Sequence, residues 1–468
     1  MCSKLNFMLI MVILLFVIPC YAHAQESEDT LKLTMEEALN KALEYNTDLK
    51  NARLDVKIAD KKVWETTAQG LPQISGSSSY NNNLSLATQL FPNFIEPTIM
   101  QILMEQGVID QQPIPEPEKI EVQFGSQHTF GANVEVSQLV FSGPYIVGLQ
   151  ASKVYKSLAK EQEDMTELNV KANIMNTYHS ILLTRENLEI LRENLENLRK
   201  TLKDTKVMHE NGFAEETDVD QIQINVTSLE NNLKSTERQM ESLRNLLKVQ
   251  MGIDLNIPVE LTQSLDYIIA EENLEPKYGN EFNPRENVNY QLTQTEVELS
   301  ELDLKREKSN YLPSISAFYS YSQDAMRDEF NVFDFDEPWY ESSVLGFQLN
   351  IPIFSSFERS SKVQQAELNL EKSKNKLENT RKTMKNEFIQ ARNNYLTALD
   401  NYESNEKNKE LAKKVYNQTT KKYKEGMATS MELTQANDKY LEMESAYINS
   451  LVELLEAKVE LEKILNEL

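Results

Sequence analysis

Apolar side chains return on a seven-residue beat along residues 433–464. Leu433, Tyr440, Tyr447, Leu454 and Leu461 hold one position, and Ala436, Met443, Ala457 and Ile464 hold the position three residues on. The same beat runs through Val219, Val226, Leu233, Met240 and Leu247, with Ile222, Leu229 and Leu243 beside them. It also runs through Ile174, Ile181, Leu188, Leu195 and Leu202, and through Leu370, Leu377, Met384, Ala391 and Ala398. A sustained heptad marks helices packed as coiled coils. It predicts long helices over 144–210, 217–251, 357–425 and 430–466. After Pro144 the first carries no proline for about sixty residues, and neither does the third, roughly 100 Å of rod at the helical rise.

Elsewhere the period drops to two. Ile315, Ala317, Tyr319 and Tyr321 share one face against Ser314, Ser316, Ser320 and Ser322, with Phe318 out of place. Leu345, Phe347, Leu349 and Ile351 oppose Gln348 and Asn350, and Phe130, Ala132, Val134 and Val136 oppose Asn133, Glu135 and Ser137. Such alternation predicts strands with one apolar face. Their expected bounds are 128–141, 314–322 and 343–353, with a fourth, weaker strand over 73–84 in "QISGSSSYNNN".

These elements occur twice in the same order. "ENGFAEETDVDQIQINV" (210–226) matches "KEGMATSMELTQANDKY" (424–440): Gly212 with Gly426, Ala214 with Ala428, Asp218 with Glu432 and Gln221 with Gln435, all 214 residues apart. Leu71-Pro72 matches Leu312-Pro313 at 241 residues. The difference reflects an insertion in the first copy, around "FPNFIEPTIM…QQPIPEPEK". The expected organisation is a first αβ repeat over 25–253, a linking segment over 254–285 and a second repeat over 286–468.

Composition agrees with solvated helices: 12 glycines among 468 residues, 26% charged residues and a formal net charge of −25. The acidic balance argues against nucleic acid, whose phosphates call for clustered Lys and Arg. Residues 1–24 read as a signal peptide: Lys4, the apolar run "LNFMLIMVILLFVI", then Ala22-His23-Ala24, with cleavage expected after Ala24. Cys20 raises the alternative of a lipid anchor, but Pro19 stands where lipoprotein signals carry a small residue. Cys2 and Cys20 both lie in this segment, so a chain beginning at Gln25 has no thiol. No later stretch has the apolar length of a spanning helix. Membrane insertion would therefore use strands. Four strands cannot close a barrel, and open edges are not tolerated in lipid, so several chains must share one barrel. Three copies supply twelve strands, with the longer loops outside.

The order "LTMEEALNKALEYNTDL", helix, "LPQISGSSSY", hairpin, long helix, "NGFAEETDV", heptad helix, and then the whole unit again resembles the TolC family of outer-membrane efflux proteins from about Leu31 to Leu465. The resemblance implies an α+β membrane protein. It would be a homotrimer with a shared twelve-stranded β-barrel continued by an α-helical tunnel, and Asp254–Arg285 would belong to a mixed equatorial region. It further implies an exit duct in outer-membrane lipid that works with a periplasmic adaptor and an inner-membrane transporter. By the same resemblance the two helix turns form the periplasmic end of the tunnel, where Asp218 and Glu432 line a constriction. Thr217 and Tyr423 match gate positions. Gln435 stands where a second acidic residue can occur, and Ala428 where a basic one can.

Read from the residues alone, Asp218 and Glu432 are also ordinary first-turn acids favoured by the helix dipole, with Thr217 and Ser430 as the expected N-caps. Gly212 and Gly426 make the turns. No catalytic constellation, metal set or cofactor motif stands out. His23, His128, His179 and His209 have no HExxH spacing. Tyr80, Phe130, Tyr319, Tyr321, Trp339, Tyr340 and Phe347 are candidates for interfacial aromatic belts. The acidic, aromatic "DAMRDEFNVFDFDEPWYE" reads as a solvated loop. Two rivals share the pattern: a periplasmic coiled-coil scaffold without a barrel, and an enzyme using Asp218 with Glu432 as a carboxylate pair.

Overall fold

The computed structural model describes residues 30–114, 116–271 and 282–468. The expected signal peptide, with Cys2 and Cys20, lies outside the described residues. In chain order the elements are β1 (Leu31–Leu33), α1 (Met35–Tyr45), α2 (Thr47–Ala68), β2 (Gln73–Asn82), β3 (Ala87–Pro92), α3 (Ile95–Glu105), β4 (Lys119–Phe124) and β5 (His128–Phe141). Then follow α4 (Gly143–Glu210), α5 (Glu216–Met251), β6 (Val259–Leu261), α6 (Leu265–Glu271), a 3-10 turn (Pro284–Glu286) and α7 (Val288–Ser309). The last are β7 (Ser314–Arg327), β8 (Tyr340–Asn350), α8 (Glu358–Lys424) and α9 (Ser430–Leu465). Among the described residues no helix is long and apolar enough to cross a membrane. The chain divides into two compact units, and each repeat contributes to both.

One unit takes residues up to 53, 163–288 and 381–468. Its helices pack as antiparallel pairs. Arg192 bonds Glu237 and Arg199 bonds Glu230, so one partner steps seven residues up as the other steps seven down. Ile174, Tyr178, Leu182, Leu247, Phe388, Tyr395, Leu451, Leu454 and Leu455 form the core. The amino-terminal segment seals it. β1 pairs in parallel with β6, and Ala38, Ala42 and Leu49 are fully buried against the helices. Tyr178 is covered here. Its hydroxyl donates to Gln263 Oε1 at 2.9 Å, and burial pushes its pKa up to about 12. Neither β1 nor β6 is visible in the sequence, since three residues are too few to show an alternation.

The duplication is written into backbone contacts. The Asn46 side chain donates to the Gln250 carbonyl at 2.7 Å, and the Asn287 side chain donates to the Ile464 carbonyl at 2.8 Å. The two donors lie 241 residues apart and the two acceptors 214, the same spacings found in the sequence. Helices α2 and α7, which follow those asparagines, each have 22 residues.

The other unit takes residues 54–162 and 289–380. Its main sheet is antiparallel in the order β2-β5-β7-β8. Facing partners share a side, so the rows Ile74–Val136–Tyr319–Leu345 and Ala317–Phe347 belong to one apolar face. Ser75–Glu135–Ser320 and Ser77–Asn133–Ser322–Ser342 belong to a polar one. The apolar face is uncovered: Ile74 is 74%, Leu345 73% and Phe347 74% exposed. Phe318, the exception in the alternation, has a local reason. It faces Gly346, where an added Cβ would lie 2.6 Å from its ring. The aromatic ring takes the space that the glycine leaves.

The insertion in the first repeat prolongs the β2–β5 hairpin. Asn83 bonds the Gln127 carbonyl at 2.7 Å, and β3 then pairs antiparallel with β4 around the tip helix α3. Beyond Arg327 the 324–341 segment is an exposed loop, as its charge predicts, with Phe330, Phe333 and Phe335 each more than half exposed. β7 runs to Arg327, Val332 is fully buried, and Phe330 packs edge-on to Tyr80 and His128. Phe333 and Trp339 pack on Phe130. Of the candidate belt residues, Tyr80, Phe130 and Trp339 thus gather at one end of the sheet.

Candidate functional site

Each long helix pair turns at a glycine in the left-handed region, Gly212 at φ 79° and Gly426 at φ 71°. Both turns are the same device. The glycine N–H returns to the carbonyl three residues back (Gly212 to His209, Gly426 to Tyr423), and the next N–H returns five back (Phe213 to Met208, Met427 to Lys422). This closes the last open carbonyls of α4 and α8 and reverses the chain. His209 adds a bond from its ring to the Ala214 carbonyl at 3.0 Å and so braces the first turn.

The return helices start one or two residues earlier than the sequence suggests. Their N-caps are Glu215 and Thr429, not Thr217 and Ser430. The shift follows from the capping box, in which the N3 carboxylate must reach back to the N-cap N–H. Asp218 and Glu432 occupy N3, so the caps lie three residues before them. Glu432 accepts from Thr429 N–H at 2.7 Å, and Thr429 Oγ1 accepts from Glu432 N–H at 3.2 Å. The Thr429 amide and hydroxyl hold the Glu432 carboxyl below the usual carboxylate range. Asp218 accepts from Glu215 N–H at 3.0 Å. Thr217, inside the first turn and exposed, donates to Glu215 Oε2 at 3.2 Å.

Asp218 also does something Glu432 does not. Its second oxygen accepts from the Ser430 hydroxyl, tying the first turn to the second. Two further bonds join the same halves behind it. Thr205 and Tyr423 hydroxyls meet at 2.8 Å, and Asn225 donates to Thr434 at 3.1 Å. Tyr423 is buried, which raises its pKa, and it lies within the field of Asp218. A cleft between the turns is lined by Gly212, Asp218, Tyr423, Gly426, Thr429 and Ser430. The structure thus brings together Asp218, Tyr423, Gly212 and Gly426. Glu432, Thr217 and Gln435 are exposed beside the cleft rather than in its lining.

Sequence reasoning misses Thr205, Asn225 and Thr434. They are small polar residues on heptad faces, and only their meeting across the two halves marks them. Ser430 stands out in the sequence, but as a cap. The two carboxylates accept from neutral amide and hydroxyl donors, and Lys422 acts on Glu432 through its field rather than a hydrogen bond.

The family model described as "Outer membrane efflux protein" matches residues 38–252 and 287–467, one segment for each repeat. Among solved structures, CusC superposes with TM-score 0.72 at 15% identity, covering 93% of each chain. VceC from Vibrio cholerae gives TM-score 0.68 at 14% identity, covering 92% of this chain and 95% of that one. CmeC from Campylobacter jejuni gives 0.69 at 17% identity, covering 92% and 85%. At these identities the likeness is one of fold: a helical tunnel element carrying paired β-hairpins. No curated protein matches the chain by sequence. With most of its length matched in two successive segments, the chain belongs to the outer membrane efflux protein family.

Proposed function

We propose that this chain is the passive exit duct of a multi-component export system, a trimer that closes at its helix turns. The observation that carries the reading is the main sheet. It has one uncovered apolar face, one polar face, and unpaired edges at β2 and β8. An open edge in lipid leaves amides and carbonyls unsatisfied, so each β8 must pair with the β2 of a neighbour. Three copies close twelve strands, with the serine-rich face around the lumen and the leucines and isoleucines toward lipid. A periplasmic scaffold without a barrel would have no use for such a face.

At the helix turns, three copies of Asp218 and Glu432 place six carboxylates at the entrance. Their hydrogen-bond partners are neutral, so the ring attracts cations and repels anions. Opening separates the second-half pair from the first-half pair and breaks three bonds: Ser430–Asp218, Thr205–Tyr423 and Asn225–Thr434. Each is worth about 1 kcal/mol, the one to the carboxylate somewhat more. A periplasmic adaptor that binds the open form better offsets part of this loss, with an inner-membrane transporter supplying the solute. The duct itself does no chemistry. Planar-bilayer recording tests the reading. Purified trimer should conduct with cation preference, and Asp218→Asn with Glu432→Gln should move the reversal potential toward zero. An unchanged potential would remove the lining role, and a protein that stays soluble without detergent would sink the channel.

A further inference from the structure

The fully buried apolar residues of the long helices fall into two groups that Leu233 on α5 bridges. The first holds Leu188, Met240, Ala398 and Ile448, and the second holds Leu191, Leu229, Ala412 and Tyr440 toward the turns. On α9 the fully buried apolar residues stop at Tyr440 and resume at Ile448, with Met443 and Tyr447 partly buried between them, and Glu444 stands in this interval only 6% exposed. The heptad lane that contains it is mostly polar. Ser430, Asn437, Glu444, Leu451 and Lys458 recur every seven residues and all are buried, but Glu444 is the acid among them.

Its surroundings are a built polar layer. Lys409 and Lys413 act on it from α8, Glu193 from α4, and Tyr440 hydrogen-bonds to it from one turn back. Tyr416 stacks on Tyr440 with ring centres 5.6 Å apart, and Lys409 sits 3.4 Å over the Tyr447 ring. The repeat explains the origin of the layer. Arg199 and Glu230 form an ion pair at 2.6 Å on the α4–α5 surface. Adding 214 to each number gives Lys413 and Glu444. The carboxylate that forms a surface ion pair in the first repeat is buried in the second, where Lys413 stays exposed and acts on it only through its field.

We propose that this layer is a hinge, at which the turn-proximal segment of the helices moves as a unit while the segment beyond Ile448 stays fixed. The proposal rests on the gating reading above and says where along the rod the opening motion is absorbed. A continuous apolar seam resists separation along its whole length, whereas a buried ionic layer gains little from staying closed. Two core segments joined by such a layer behave as separate cooperative units. The layer also responds to pH. Burial holds Glu444 above the usual carboxylate range against the pull of Lys409, Tyr440 and Lys413. A raised acid binds its proton more tightly in the packed state, so the layer tightens at low pH and loosens as pH rises through that value.

Hydrogen exchange on the full-length trimer in lipid nanodiscs tests this, read peptide by peptide. Peptides within 416–440 should exchange together and about tenfold faster than those within 448–461. Glu444→Leu, which repeats Leu451 one heptad on, should slow the 416–440 set about tenfold and leave 448–461 unchanged. Acidifying the parent, after correction for intrinsic exchange, should slow the same set, and Glu444→Gln should be slow before and after. Asp438 and Glu456 on α9 are also raised by burial, and their share persists in Glu444→Gln. Uniform exchange along α9, or equal rates in parent and both variants, overturns the hinge. Failure of the parent to run as a heat-sensitive trimer overturns the duct instead, and the contrast within α9 remains readable.

Discussion

At residue scale, glycines that share a backbone angle differ in what they tolerate. Gly426 has open space where a Cβ would stand, so Gly426→Ala meets only the cost of the left-handed region, about 1–2 kcal/mol. Gly252 closes α5 at φ 69° with a Cβ position that runs into the Tyr45 carbonyl, so Gly252→Ala should cost several times more. Its partner in the second repeat is Asn466, also left-handed at φ 57°, which an asparagine tolerates. Thermal melting of the trimer should rank Gly252→Ala well below Gly426→Ala, with Gly426→Asn close to the parent. Glu432 carries a second expectation. Its carboxyl is held below the usual range, so its capping contribution is complete above that range and lost as pH falls through the lowered value. Exchange at the first amides of α9 should therefore rise on acidification in the parent and be pH-insensitive in Glu432→Gln.

At element scale, the turns act as pairs. The first turn is braced within itself by His209, the second by Thr429, and Asp218 with Ser430 joins them. Tyr423→Phe with Asn225→Ala removes two of the three cross-half bonds without touching the carboxylates. Each costs about 1 kcal/mol, so the open fraction should rise about tenfold or more, read as channel open time in planar bilayers. Selectivity should not change, which separates the latch from the ring. In the sheet, Gly346→Val should disrupt assembly of the trimer, because its side chain takes the space of the Phe318 ring.

At the scale of the whole molecule, the sheet is half an argument without its neighbours. Its apolar face and its two free edges demand lipid and further copies, and purification should yield a detergent-dependent trimer that dissociates on heating. The duplication is readable in the amino-acid sequence because the glycine turns and the Leu-Pro pairs keep their spacing. It reappears as two matching asparagine–carbonyl bonds. The long helices and the main strands are legible because their periods persist over many residues. The site is legible only in part. Gly212, Gly426, Asp218 and Tyr423 show themselves by repeat position, whereas Thr205, Asn225 and Thr434 carry no periodic or motif signal.

The sequence by itself determined the periods: seven for the helices, two for the strands, 214 and 241 for the repeat. These are properties of local backbone geometry repeated along one chain, so one dimension is enough to reveal them. Only the tertiary structure decided which polar residues meet. Whether Asp218 caps its helix alone or also clasps Ser430 depends on a neighbour 212 residues away. So does the fate of the Glu230–Arg199 pair depend on distant packing: it stays at the surface in one repeat, while its copy Glu444 is buried in the other. Burial is a property of packing between distant segments, and packing sets the free energy of a charge.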